Sequence, residues 1–198
     1  MTTYTILRSI FIPRAYRKIA RCEGLENVPE QGPFLLAANH VSWLDPVYIT
    51  AAVCKRNRGR LLFLSATAKH RWTQAVIPID RKNPSGCLEE AMRHLQHGHA
   101  VGLFPRGDQR KSTPSGKTGV ARLARWSGLP VIPTAICSTV AGHTVTALRD
   151  YFFGGRDISL AFGPPIRFAQ QTIVSPEELH ADMARIEGAI AELLQHFS

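Results

Sequence analysis

Cysteine is scarce and scattered in this chain of 198 residues. Cys22, Cys54, Cys87 and Cys137 form no CxxC pair and no regular framework, which argues against a disulfide scaffold or a thiolate zinc site and points to reduced thiols in a cytosolic protein. Long apolar runs are missing as well. No stretch of about 18 uncharged apolar residues occurs, so no bilayer-spanning helix is expected. Arg8, Pro13 and Arg14 interrupt the apolar residues near the start, so a secretory signal is not expected there either. Internal repeats, low-complexity tracts and dividing linkers are absent. Zinc-finger spacing, aromatic ribonucleoprotein motifs and a basic zipper are also lacking, which argues against nucleic acid as a partner. Acidic residues are missing altogether from residues 1–21.

What is present is an ordinary globular composition, 44% apolar and 20% charged, with a net charge of +9. That balance suits anionic partners: phospholipid, a phosphorylated substrate or an acidic carrier protein. Residues 1–22 form a basic amphipathic N-terminal segment, in which Arg8, Arg14, Arg17, Lys18 and Arg21 alternate with Ile6, Leu7, Ile10, Phe11, Tyr16 and Ile19. Pro13 divides it into two short helical pieces. It reads either as a peripheral membrane contact through residues 1–21 or as a helix packed on the domain with a solvated basic side.

Beyond it, residues 23–198 read as one α/β domain with a mixed, mainly parallel sheet surrounded by helices. Short apolar strands are expected at Phe34–Ala38, Leu61–Leu64, Ala75–Ile79, Ala100–Phe104, Val131–Ile136, Thr144–Leu148 and Ile158–Phe162. Helices are expected at 46–55, 86–97 and 116–127. A last helix starts at Ser175, with Pro176 in its first position and Glu178 completing a capping box. Its apolar stripe is Leu179, Met183, Ile186, Ile190 and Leu194, a packing feature.

The segment Asn39-His40-Val-Ser-Trp-Leu-Asp45-Pro46 carries the chemistry. An apolar strand runs into His40, and Pro46 opens a helix that Asp45 is placed to cap. The turn can bring the Asp45 carboxylate to one imidazole nitrogen and leave the other for a substrate, an arrangement suited to a general base. The same residues also fit a purely structural turn, with Asp45 as a helix cap. Ser42 fits a turn hydrogen bond better than a nucleophile, and Trp43 is expected to pack beneath the turn.

This segment resembles the NHxSxxD block of the glycerophosphate and lysophospholipid acyltransferase family, the 1-acylglycerol-3-phosphate O-acyltransferase-like proteins. Further blocks follow in order. Gly24–Phe34 is similar to the lead-in to the catalytic strand, and Ile77-Pro-Ile-Asp-Arg81 to the second block. Phe104-Pro-Arg-Gly107 is similar to the third block, normally Phe-Pro-Glu-Gly. Gly119–Ala124 with Pro130–Ile136 is similar to the fourth, and Phe162–Ile166 to the late strand and turn.

The resemblance implies a glycerol-3-phosphate acyltransferase-like fold and direct acyl transfer to an acceptor hydroxyl, with a lysophospholipid-type acceptor. The donor is a thioester, acyl-CoA or an acyl carrier protein, as co-substrate. It implies His40 as base and Asp45 as its orienting partner. Arg81, Phe104, Pro105, Arg106, Gly107, Arg110 and Lys117 then bind substrate, with backbone N–H groups near Gly107 or at a helix start facing the oxyanion. No cofactor or metal enters this scheme. The expected location is cytoplasmic, either soluble or peripheral on the inner face of the membrane.

The third block departs from the family. Arg106 stands where glutamate is usual, Asp108-Gln109 where Thr-Arg is usual, and Arg110 comes one position late. Arg106 then either binds an anionic group or pairs with Asp108. The link Ala66–Ala75 is also short, leaving less surface for an acceptor's lipid chain. Alternatives are therefore an acyltransferase of a specialised pathway acting on a non-glycerolipid hydroxyl or amine, or a non-catalytic protein that binds lipid or carrier. His94, His97 and His99 fit a helix C-terminus, where the dipole favours the cation, better than a metal site. Ser115-Gly116-Lys117-Thr118 lacks the earlier glycine of a phosphate loop, Lys111 being in its place.

Overall fold

The computed structural model describes residues 7–65, 75–80, 83–106, 117–138 and 144–197. A π-helical turn, Leu7–Phe11, runs directly into α1 (Ile12–Arg17), with Pro13 in the first turn of α1. Pro13 has no N–H to bond back into the preceding turn, and the helix changes from π to α geometry beside it. The elements that follow are β1 (Ile19–Glu23), β2 (Leu35–Ala38), α2 (Asp45–Val53), β3 (Leu61–Ser65), β4 (Val76–Pro78), α3 (Pro84–Gln96) and β5 (Ala100–Leu103). Then come α4 (Gly119–Ser127), β6 (Val131–Ser138), α5 (Thr144–Phe153), β7 (Ile158–Phe162) and α6 (Pro176–Gln195).

Among the described residues the strands form one seven-stranded sheet, in the order β1-β7-β6-β2-β5-β3-β4. Every neighbouring pair is parallel except β6 and β7. The α/β class expected from the alternating pattern is therefore the one observed. The central strand shows why its sequence is apolar throughout. Leu35 and Ala37 face one core, Leu36 and Ala38 the other, and all four are buried. A strand covered on both sides has no polar face. Ile12 and Ala15 of α1, Ile49 and Ala52 of α2, and Tyr151 of α5 cover one side. Leu95 of α3, Leu123 of α4 and Ile186 of α6 cover the other.

α6 begins as its sequence dictates. Ser175 Oγ accepts from Glu178 N at 3.2 Å, while Glu178 Oε2 accepts from Ser175 N at 3.0 Å. Its stripe Leu179, Met183, Ile186 and Ile190 is buried.

Thr144–Leu148 is a correction: the segment belongs to a helix, Thr144–Phe153, and not to a strand. Its β-branched residues suggest a strand, but β6 already has β2 and β7 as neighbours, so no sheet edge is open to it there. Tertiary packing overrides propensity. Arg14 of α1 and Lys18, just past its end, meet the C-terminal end of this helix. Arg14 Nε donates to Tyr151 O at 3.3 Å and Lys18 Nζ to Asp150 O at 2.8 Å. Cations there satisfy unpaired carbonyls and complement the helix dipole. β1 is a strand that the sequence reading does not anticipate; residue 22, the boundary drawn there for the basic segment, falls inside it. No helix among the described residues is long and apolar enough to cross a membrane.

Candidate active site

β2 ends at Ala38 and the chain must leave the sheet without losing its position. Asn39 achieves this with its side chain: Nδ2 donates to Ile136 O and Oδ1 accepts from Ile136 N, both at 2.8 Å. The amide thus replaces one backbone pair and carries the turn out from a fixed point on β6. The sequence reading gives Asn39 no role of its own.

His40 follows, and its Nδ1 lies 2.7 Å from Asp45 Oδ2. The same oxygen accepts from Val41 N at 2.7 Å and Ser42 N at 2.8 Å. An oxygen facing two backbone donors and the imidazole acts as an acceptor, so Nδ1 carries a hydrogen and Nε2 presents its lone pair. Among the described residues Nε2 has no hydrogen-bond partner. The pair is asymmetric in exposure: the His40 side chain is 23% accessible and that of Asp45 1%. Solvent reaches the imidazole, not the carboxylate. Asp45 Oδ1 is buried without a partner among the described residues, an arrangement that costs about 1–3 kcal/mol and that concentrates at functional sites.

The expectation that Asp45 caps α2 is corrected. It is the first residue of the helix, and its carboxylate turns back to Val41 and Ser42 instead of forward to the helix amides. Ser42 is buried, and its Oγ accepts from Leu44 N at 3.4 Å, a structural contact. Trp43, expected beneath the turn, is 36% exposed.

Phe104 stacks on His40, with ring centroids 4.2 Å apart and planes 18° apart. Phe63 stacks on Phe104 at 5.2 Å and 14°. Gly102 makes room for this column: a Cβ there would lie 2.4 Å from Phe63 Cε1. The imidazole plane is therefore fixed from β5 and β3 as well as from its own turn. Gly102 in an apolar strand is the sequence signal for such a close approach.

Pro105 is buried, and its carbonyl accepts from Lys117 N at 3.0 Å, which sets Lys117 beside the third block with its side chain exposed. Arg106 donates from Nε (3.1 Å) and Nη2 (2.7 Å) to Glu187 Oε2 on α6. The hydrogen bonds and charge of Glu187 raise the Arg106 pKa further. Glu187 Oε1 is buried with no partner among the described residues. The pair borders a cavity of about 70 Å³ beside Ala38, Asn39 and Pro105. Glu187 follows Met183 by four residues, at the edge of the buried stripe, and the sequence reading missed it. Arg81, Gly107 and Arg110, together with Asp108 and Gln109, lie outside the described residues.

His94 and His99 sit at the C-terminal end of α3, their rings 5.9 Å apart. Burial pushes both below the ordinary histidine range, with nearby cations adding to the effect on His99. The neutral form is favoured there, contrary to the expectation from the helix dipole.

Comparison with known proteins identifies the family. The family model described as Acyltransferase matches residues 19–137. The chain is 23% identical over 176 residues to the 1-acyl-sn-glycerol-3-phosphate acyltransferase of Bacillus subtilis (strain 168), covering 85% of this chain and 84% of that one. Its fold is similar to the crystal structure of the 1-acyl-sn-glycerophosphate (LPA) acyltransferase PlsC from Thermotoga maritima. The TM-score is 0.62 at 18% identity, over 96% of this chain and 93% of that chain. The chain belongs to the Acyltransferase family and is an enzyme of acyl transfer.

Proposed function

We propose that the protein transfers an acyl group from a thioester directly to the free hydroxyl of a lysophospholipid-type acceptor, 1-acylglycerol 3-phosphate being the favoured one. The observation that carries the reading is the 2.7 Å contact between His40 Nδ1 and Asp45 Oδ2, which leaves Nε2 open. The acceptor oxygen attacks the thioester carbonyl while Nε2 takes its proton. Asp45 holds the tautomer and stabilises the imidazolium. The tetrahedral intermediate then collapses, the carbon–sulfur bond breaks, and the departing thiolate takes the proton from His40. No acyl-enzyme forms, in keeping with the structural role of Ser42.

Arg81, Arg106, Arg110 and Lys117 are the groups proposed for anionic parts of acceptor or donor, with Gly107 allowing close backbone approach to the oxyanion. The donor is acyl-CoA or an acyl carrier protein; a surface of charge +9 supports docking of the acidic carrier. The proposed place of work is the cytoplasmic face of a membrane, with residues 1–21 in contact with it. A second reading, an acceptor outside the glycerolipids, is favoured by one observation: Arg106 replaces the family glutamate and is tied to Glu187.

The purified protein incubated with acyl-CoA or acyl carrier protein, 1-acylglycerol 3-phosphate and cell extract, followed by mass spectrometry, tests both readings. Diacylglycerol phosphate supports the first and another acylated product the second. Donor thioester that persists with every acceptor overturns both.

A further inference from the structure

Five large apolar side chains from two distant parts of the chain are exposed: Ile10 (63%), Phe11 (40%), Leu148 (43%), Phe152 (41%) and Phe153 (86%). They belong to one built unit. Tyr151 Oη donates to Phe11 O at 2.8 Å, and the two rings lie 6.4 Å apart at 22°. Arg14 donates to the carbonyls of Tyr151 and Phe152, and Lys18 to those of Asp150 and Gly154. Tyr151 is buried at 2%. The end of α5 is thus anchored by a ring on one side and two cations on the other, and this anchoring holds Phe152 and Phe153 outward.

Arg14 lies over the Phe152 ring at 5.3 Å and Tyr151 meets its edge, yet Phe152 stays 41% and Phe153 86% exposed, and their setting is cationic. Arg14, Arg17 and Arg149 are exposed, and residues 1–21 contain no acid. Asp150, the acid on the same helix end, is partly buried beside Lys18, and burial holds its pKa above the ordinary carboxylate range. A second copy seated on the patch would set cations of like sign against each other. An anionic bilayer complements them while accepting the rings. The patch also lies on the catalytic side of the sheet: Ile12, Ala15 and Tyr151 share an apolar layer with Leu44 and Tyr48 of the His40 turn region.

We infer that Phe152 and Phe153 at the end of α5, together with Ile10 and Phe11, form one docking surface for an anionic phospholipid bilayer. The surface presents the His40 site to acceptor lipid in that bilayer. Membrane contact is thereby assigned to α5 as well as to the N-terminal segment, and the inference rests on the acyl-transfer reading for its purpose.

The test is flotation of the full chain and its Phe152→Ser/Phe153→Ser variant. One set of vesicles has equal parts phosphatidylglycerol and phosphatidylcholine; a second has phosphatidylcholine alone. The single Phe153→Ser variant, at a side chain 86% exposed, guards against misfolding. The expected result is flotation of the parent chain with the anionic vesicles only, weakened about tenfold or more in the double variant. Transfer to vesicle-borne acceptor falls with it, while transfer to a short-chain acceptor in solution is unchanged. Equal flotation of parent and double variant, or none by the parent, overturns the inference. So does a change from dimer to monomer in sedimentation, or a loss of carrier-protein binding in place of vesicle binding. If flotation behaves as expected and no acceptor is acylated, the acyl-transfer reading fails and the docking surface stands.

Discussion

Arg106 gives two N–H groups to one carboxylate oxygen of Glu187, which joins the third block beside the His40 turn to the C-terminal helix. The positive side chain that departs from the family pattern therefore has an opposite charge built to receive it. Arg106→Glu alone restores the family residue but sets two carboxylates together, and is expected to lower activity and stability. Adding Glu187→Arg is expected to recover most of both. The side chains are 61% and 18% exposed, so the coupling is on the order of 1 kcal/mol. A double-mutant cycle in thermal melts and in the acceptor KM checks it; additive losses contradict it.

Gly102 is expected to be intolerant of a side chain because Phe63 occupies the space. Gly102→Val should destabilise by about 1–3 kcal/mol through overpacking. Its kcat should fall further than that of an equally destabilised variant on the other side of the sheet, because the strain passes through Phe104 to His40. Phe63→Leu in a Gly102→Ala background should restore part of both. Denaturant unfolding with steady-state kinetics measures the two effects.

His94 and His99 give the fold a dependence on mild acid. Their folded pKa values lie below the ordinary value of about 6.5. The unfolded chain therefore binds more protons as pH falls through the window just below that value. Their contribution to stability is full above it and is lost on acidification. The drop in Tm between about pH 7.5 and about pH 5.5 should be smaller for His94→Asn/His99→Asn than for the parent. An identical drop contradicts the assignment.

Most of the sheet was legible because its central strands are short, continuous apolar runs, such as Leu35–Ala38, bounded by turn residues. The capping box at Ser175 made the last helix legible from local chemistry alone. Thr144–Leu148 reads as a strand because its β-branched residues favour one, and what excludes it is the occupied edge of β6. β1 was hidden because charged residues interrupt it at the sheet edge, where one side meets solvent. At the site, the pairing of His40 with Asp45 followed from spacing within one turn. The contributions of Asn39, Phe63 and Glu187 did not, since each depends on an element distant in sequence: β6, β5 or the third block.

Asp45 Oδ2 holds Nδ1 of His40; on the proposed mechanism Nε2 takes the proton of the acceptor hydroxyl, so transfer should fail when the imidazole is removed from an intact fold. The turnover of His40→Ala, measured with saturating thioester and acceptor, tests this most directly. A loss of about 10²–10⁴-fold with unchanged circular dichroism and Tm is the predicted result. Turnover near that of the parent chain would contradict it.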